Sequence, residues 1–126
     1  MFALEFNNNY PIYLQVVDDI KRKIIKNELN PGDKLPSNSE LAIIYKINPN
    51  TVQRIYKQLE YENICFTRRG LGTYVSEDPD ITQKIKNEFI SNLINDFIFQ
   101  MDSIGFSLNE IIKTLNDIKE KRNVKF

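Results

Sequence analysis

Early in the chain the apolar positions repeat every four residues. Ile12, Val16, Ile20 and Ile24 form one row with Val17 and Ile25 beside it, and Pro11 stands where a helix opens. The spacing predicts an amphipathic helix of about four turns. It stops before Asn30-Pro31-Gly32-Asp33, a strong turn signal. Ser37 with Glu40 three residues on is a capping box. The short helix it opens offers Leu41, Ala42, Ile44 and Tyr45 for burial and breaks at Lys46-Ile47-Asn48. Asn48 then suits an N-cap and Pro49 the first helical position. The next helix is expected to reach about Glu62, with Val52, Ile55, Tyr56 and Leu59 on one face. Two helices joined by so short a turn carry the helix-turn-helix signature.

The period then changes. Ile64-Cys65-Phe66-Thr67 and Thr73-Tyr74-Val75-Ser76 are β-branched and aromatic, and Arg68-Arg69-Gly70-Leu71-Gly72 separates them. This reads as a β-hairpin with a five-residue basic tip, a wing following the two helices. Glu77-Asp78-Pro79-Asp80 is a short acidic linker without an apolar anchor, and the expected hinge. Beyond it Ile81, Ile85, Phe89, Leu93, Phe97 and Met101 recur every four residues, with Ile90, Ile94 and Ile98 alongside. Gly105 ends that helix, Ser107 and Glu110 cap another, and Leu108, Ile111, Ile112, Leu115 and Ile118 line the last one. The expected fold is mainly α with a small β-hairpin wing: a winged helix-turn-helix over residues 1–77 and a two-helix tail over residues 78–126.

Composition narrows the chemistry. The 126 residues include no His and a single Cys, so the commonest general base and metal ligand is absent and no internal disulfide is possible. Four glycines include no phosphate-loop or dinucleotide-binding spacing. Cys65 sits in an apolar stretch and is expected to be a buried structural thiol. An enzyme is not expected, nor a cofactor. The apolar runs are too short to span a membrane, and the first residues lack the pattern of a secretory signal.

Formal net charge is zero, but its distribution is uneven. Residues 46–72 hold five basic and two acidic side chains, whereas residues 78–126 hold seven basic and eight acidic. On a helical wheel, Asn50, Arg54, Lys57 and Tyr61 oppose the apolar face of the third helix, with Gln53 and Gln58 at the edges. Asn48, Asn50 and Thr51 occupy its first turn. Asn and Gln suit adenine edges, Arg suits guanine or phosphate, and the N-terminal end of a recognition helix normally meets the bases. A solvated helix face would look similar taken alone. Two arginines, Arg68 and Arg69, at a glycine-flanked tip fit a narrow minor groove. The order helix, turn, helix, basic wing favours DNA binding.

The same residues resemble a known family. Pro11-Ile12-Tyr13-Leu14-Gln15, Pro31 to Ser37, Glu40-Leu41-Ala42, Asn48-Pro49-Asn50-Thr51-Val52 and Arg68 to Val75 look like the fixed-order motifs of GntR-type winged-helix repressors. The resemblance implies that the second helix begins at a phosphate through Ser37. It implies that the third helix reads the major groove and that Arg69-Gly70 enters the minor groove. Ser39 stands where the family usually has Arg, and Gln53 where some members have Arg. The short tail resembles the YtrA-type subfamily, in which it serves dimerisation. This implies a cytoplasmic repressor of a nearby transporter-type operon, bound to double-stranded DNA as a homodimer.

The expected DNA-binding residues are Ser37, Asn48, Asn50, Thr51, Gln53, Arg54, Lys57, Arg68, Arg69 and Gly70. The expected dimer residues are Phe89, Ile90, Leu93, Ile94, Phe97 and Met101. No effector is specified by the sequence. One alternative is a winged helix used as a protein-interaction subunit. Another is a small-molecule sensor with a pocket at the dimer seam, although the tail's core positions are almost all Ile, Leu and Phe.

Overall fold

The computed structural model describes residues 4–122. The elements are α1 (Ile12–Ile25), α2 (Asn38–Tyr45), α3 (Pro49–Tyr61), β1 (Cys65–Arg68), β2 (Gly72–Val75), α4 (Ile81–Ser103) and α5 (Leu108–Arg122). They form two compact units, residues 1–86 and residues 87–126, with the division inside α4.

In the first unit, the four-residue row of α1 supplies Val16, Ile20 and Ile24, all essentially inaccessible to solvent. They pack with Leu41 and Ala42 of α2 and with Val52, Ile55 and Leu59 of α3 in one cluster, which Leu35, Ile64, Cys65 and Val75 join. Ile12, the first of the row, is instead exposed. The α2 capping box is complete: Glu40 N donates to Ser37 Oγ and Ser37 N donates to Glu40 Oε1 at 2.9 Å. Asn48 caps α3 by accepting from Asn50 N at 2.8 Å, with Pro49 at the first helical position.

The turn between α2 and α3 depends on Lys46, which takes a left-handed conformation at φ 56°. Ile47 N then donates to Ala42 O, closing the end of α2. Asn27 and Asn63 do the same at the ends of α1 and α3. Asn tolerates this region readily, but Lys does not, so the turn is held by the helices it joins.

The hairpin is shorter at its tip than expected. Arg68 pairs with Gly72, so Arg68 belongs to β1 and only Arg69, Gly70 and Leu71 form the loop. Gly70, at φ 79°, supplies the left-handed residue such a loop needs. Residues 33–35, which carry no strand pattern, bridge onto the hairpin: Leu35 N donates to Thr73 O and Val75 N to Asp33 O, both at 2.8 Å, around a Lys34–Tyr74 bridge. Three residues are too few to display an alternating pattern.

Three of the four linker residues make side-chain or capping bonds. Glu77 pairs with Arg68, Asp78 N donates to Ser76 Oγ, and Asp80 N donates to Asp78 Oδ1. Lys84 Nζ reaches Asp78 Oδ2 at 2.7 Å. That bond is the main reason the Asp78 carboxyl lies below its ordinary range. Ile81 and Ile85 are buried in the same core as α1 to α3. Residues 77–80 therefore run within the first unit, ahead of the division inside α4.

In the second unit, α4 ends in two bonds characteristic of a left-handed glycine cap, Gly105 N to Asp102 O and Phe106 N to Met101 O. Ser107 and Glu110 form the predicted capping box of α5, which lowers the Glu110 carboxyl's pKa. Ile111 is buried, but Ile90, Leu93, Ile94, Phe99, Ile104, Leu108, Ile112 and Leu115 are exposed.

Candidate nucleic-acid interface

The apolar face of α3 is fully used in the core, which fixes what the other face presents. Gln53, Arg54 and Lys57 are exposed with Asn50, and Thr51 is half-buried at the first turn. The Arg54 guanidinium lies over the Tyr13 ring of α1, 3.8 Å from its centroid. Lys21 of α1 braces the C-terminal end of α3 through Glu62 at 2.8 Å, and Gln58 donates to the same carboxylate. The outward face is thus polar and basic, and α1 holds the helix at its middle and at its C-terminal end.

Two expected contact residues also serve as caps. The Asn48 carbonyl oxygen already accepts from Asn50 N, so its amide N–H groups are what it best offers an outside partner. A donor-only contact suits a phosphate better than a bidentate adenine edge. The Ser37 hydroxyl accepts from Glu40 N and lies 3.3 Å from the Ser39 hydroxyl. The Glu40 carboxylate occupies the same helix end, and its two bonds from Ser37 lower its pKa.

The hairpin has two unlike faces. Cys65, Thr67, Thr73 and Val75 share the side towards α3, where Thr67 Oγ1 donates to Glu60 at 2.7 Å. Cys65 is buried, and that burial, with Glu60 adding to it, pushes its thiol up to about 12. It is a packing residue, not a nucleophile at neutral pH. The outer face carries Phe66, Arg68 and Tyr74, with the two rings stacked 5.8 Å apart. Arg69, Gly70 and Leu71 are exposed at the tip.

The expected residues are therefore presented by one compact unit, but Arg68 is separated from its neighbour. Arg69 stands in the loop, whereas Arg68 folds back along the hairpin to Glu77 at 2.7 Å. Three participants were not foreseen. Tyr13 supports Arg54, Glu77 engages Arg68, and Lys34 lays its stem across Gly72, where a Cβ would sit 3.0 Å from Lys34 Cε. None forms a local motif; each meets its partner only through the fold.

Residues 12–75 match the bacterial regulatory proteins of the gntR family. The chain belongs to the GntR family. It is 39% identical to the HTH-type transcriptional regulator YhcF of Bacillus subtilis, over 92% of this chain and 96% of that protein. It is 37% identical to the HTH-type transcriptional repressor YtrA of the same organism, over 94% of this chain and 92% of the relative. Among solved structures, a GntR family transcriptional regulator from Listeria monocytogenes superimposes with a TM-score of 0.80 at 36% identity, covering 89% of this chain and 98% of that one. This GntR regulator is of the YtrA type, a winged-helix DNA-binding transcription regulator and not an enzyme. No helix among its described residues is long and apolar enough to cross a membrane.

Proposed function

We propose that this GntR regulator is a cytoplasmic homodimeric repressor that binds an inverted-repeat operator beside a transporter-type operon. The observation that carries the reading is the outward face of α3, polar and basic, on the same unit as a wing tipped by Arg69. Asn50, Thr51, Gln53 and Arg54 read base edges in the major groove. Ser37, Asn48 and Lys57 hold the backbone, Arg69 and Gly70 enter the minor groove, and Arg68 adds a backbone contact. Repression is supported by the likeness to YtrA, whose name gives that sign.

Dimerisation is supported by the tail's surface. Ile90, Leu93, Ile94 and Phe97 are at least one-third exposed, and Phe89 and Met101 are half-buried. Burying a fully exposed side chain of this kind gains roughly 1.5–3 kcal/mol, and covering the part still exposed here gains about half of that or less, which a second copy of the same stripe supplies to both partners. A two-fold dimer offers two α3 helices to half-sites about 34 Å apart, or a multiple of that.

The test combines size-exclusion light scattering with a titration of the full-length protein against the DNA upstream of its own gene. A dimer that binds this DNA at least tenfold more tightly than random duplex supports the reading. A monomer at micromolar concentration, or equal affinity for both duplexes, overturns it.

A further inference from the structure

We propose that Glu77 is an internal competitor for Arg68, setting the regulator's DNA affinity by occupying a wing guanidinium until a phosphate displaces it. The inference rests on the DNA-binding reading of the wing and adds a residue to it.

The starting point is the difference between two adjacent arginines. Arg69 lies in the loop, but Arg68 is the last residue of β1, paired across the hairpin with Gly72. Its side chain lies on the same face as Phe66 and Tyr74. The guanidinium carbon is 5.4 Å from the centroid of Phe66 and 5.7 Å from that of Tyr74, close enough for cation–π attraction. Arg68 Nη2 then donates to Glu77 Oε1 at 2.7 Å, a charge-assisted bond. Gly32 and Leu71 complete an open depression of about 270 Å³ around this pair.

Two features make the pair exchangeable. Both side chains remain about half-exposed, 51% for Arg68 and 61% for Glu77. An exposed pair of this kind is weak, and a DNA phosphate brings counterion release that a carboxylate does not. The aromatic floor orients the guanidinium without a polar partner, so Arg68 can give up Glu77 and still be supported. The free regulator therefore presents one unpaired wing arginine, Arg69, and the bound regulator two. Breaking the Arg68–Glu77 bond is a cost charged against every DNA complex.

The experiment titrates labelled operator and random duplexes over a range of salt with full-length wild type, Glu77→Gln, Arg68→Ala, Arg69→Ala and the Glu77→Gln/Arg68→Ala double variant. Glu77→Gln should tighten binding roughly two- to five-fold. Arg68→Ala should weaken binding and lower the log–log salt slope by about 0.9. In the Arg68→Ala background, Glu77→Gln should change nothing, because no guanidinium is left to release. An equal gain in that background would make Glu77 a plain repulsive charge and overturn the proposal. A silent Glu77→Gln, or Arg68→Ala with wild-type affinity and slope, also overturns it. If either occurs while Arg69→Ala still weakens binding, the wing reading survives without the competitor. If the wild type binds no DNA, both fail.

Discussion

The guanidinium of Arg54 on α3 rests on the Tyr13 ring of α1 at 3.8 Å, so a side chain expected to read DNA is supported from a neighbouring helix. An arginine ordered before binding loses less rotamer entropy when it binds. Arg54→Ala should weaken operator binding by roughly 1–3 kcal/mol if the guanidinium bonds a base. Tyr13→Leu keeps the arginine and removes its support, so it should cost only about 0.5–1 kcal/mol. Titrations on operator and random duplexes separate the cases. Equal loss on both for Arg54→Ala would make it a phosphate contact, and no loss on either would remove it from the interface.

Much of the first unit was legible because each helix declares itself locally. The Ser37–Glu40 box, Asn48-Pro49 and the α3 row fix where helices begin and which faces turn inward. The break after Tyr45 was legible, but not the conformation that ends the helix. Lys46 adopts a left-handed conformation that its residue type disfavours, imposed by the packing of α2 against α3. The extent of the first core was also hidden. Ile81, Ile85, Phe89, Leu93 and Phe97 form one uninterrupted four-residue row, yet the first two belong to the core of the winged helix and Leu93 and Phe97 remain exposed. Periodicity states that a face is apolar; it does not state where along the helix the covering partner changes.

That division along α4 gives a stability prediction. Ile85 is 6% exposed within the first unit, whereas Leu93 is 53% exposed. Ile85→Ala should destabilise the winged helix by roughly 2–5 kcal/mol, the usual cost of emptying a buried isoleucine site. Leu93→Ala should leave the unfolding of that unit unchanged. Denaturant unfolding followed by tyrosine fluorescence reads the first unit, since the described tyrosines lie between Tyr10 and Tyr74. Equal effects of the two substitutions would place Ile85 outside the core.

The exposed side of α4 gives the assembly prediction. Phe97 lies on the row with Leu93, flanked by Ile90 and Ile94, and retains 36% of its surface. Phe97→Asp would carry an unpaired charge into any interface formed there, at a cost of several kcal/mol. The variant should run as a monomer with weak, half-site-like binding, while its winged-helix unit still unfolds at the wild-type denaturant concentration. A dimeric Phe97→Asp would move the interface off this face.

The last prediction concerns the polar group inside the first core. Asp19 of α1 accepts from the Tyr45 hydroxyl at 2.6 Å and from Lys23 Nζ at 3.1 Å, fastening the final turn of α2 to α1. Tyr45→Phe removes one donor and leaves the ion pair, so it should cost about 1–3 kcal/mol. Asp19→Ala removes the acceptor that both groups face and should cost more. The pH dependence follows from Tyr45. Burial first, and then the bond to Asp19, hold its pKa well above the ordinary 10.0. The unfolded chain therefore releases this proton at a lower pH than the folded one. The contribution is fully present below about pH 10 and is lost as the pH rises above that value. Tyr56 and Cys65, both also shifted upwards by burial, act in the same sense. Stability should thus fall on the alkaline side, and the fall should be shallower in Tyr45→Phe than in wild type. Denaturant titrations of both proteins between pH 8 and pH 11 read the difference. Parallel alkaline slopes would mean that Tyr45 does not hold its proton more tightly when folded.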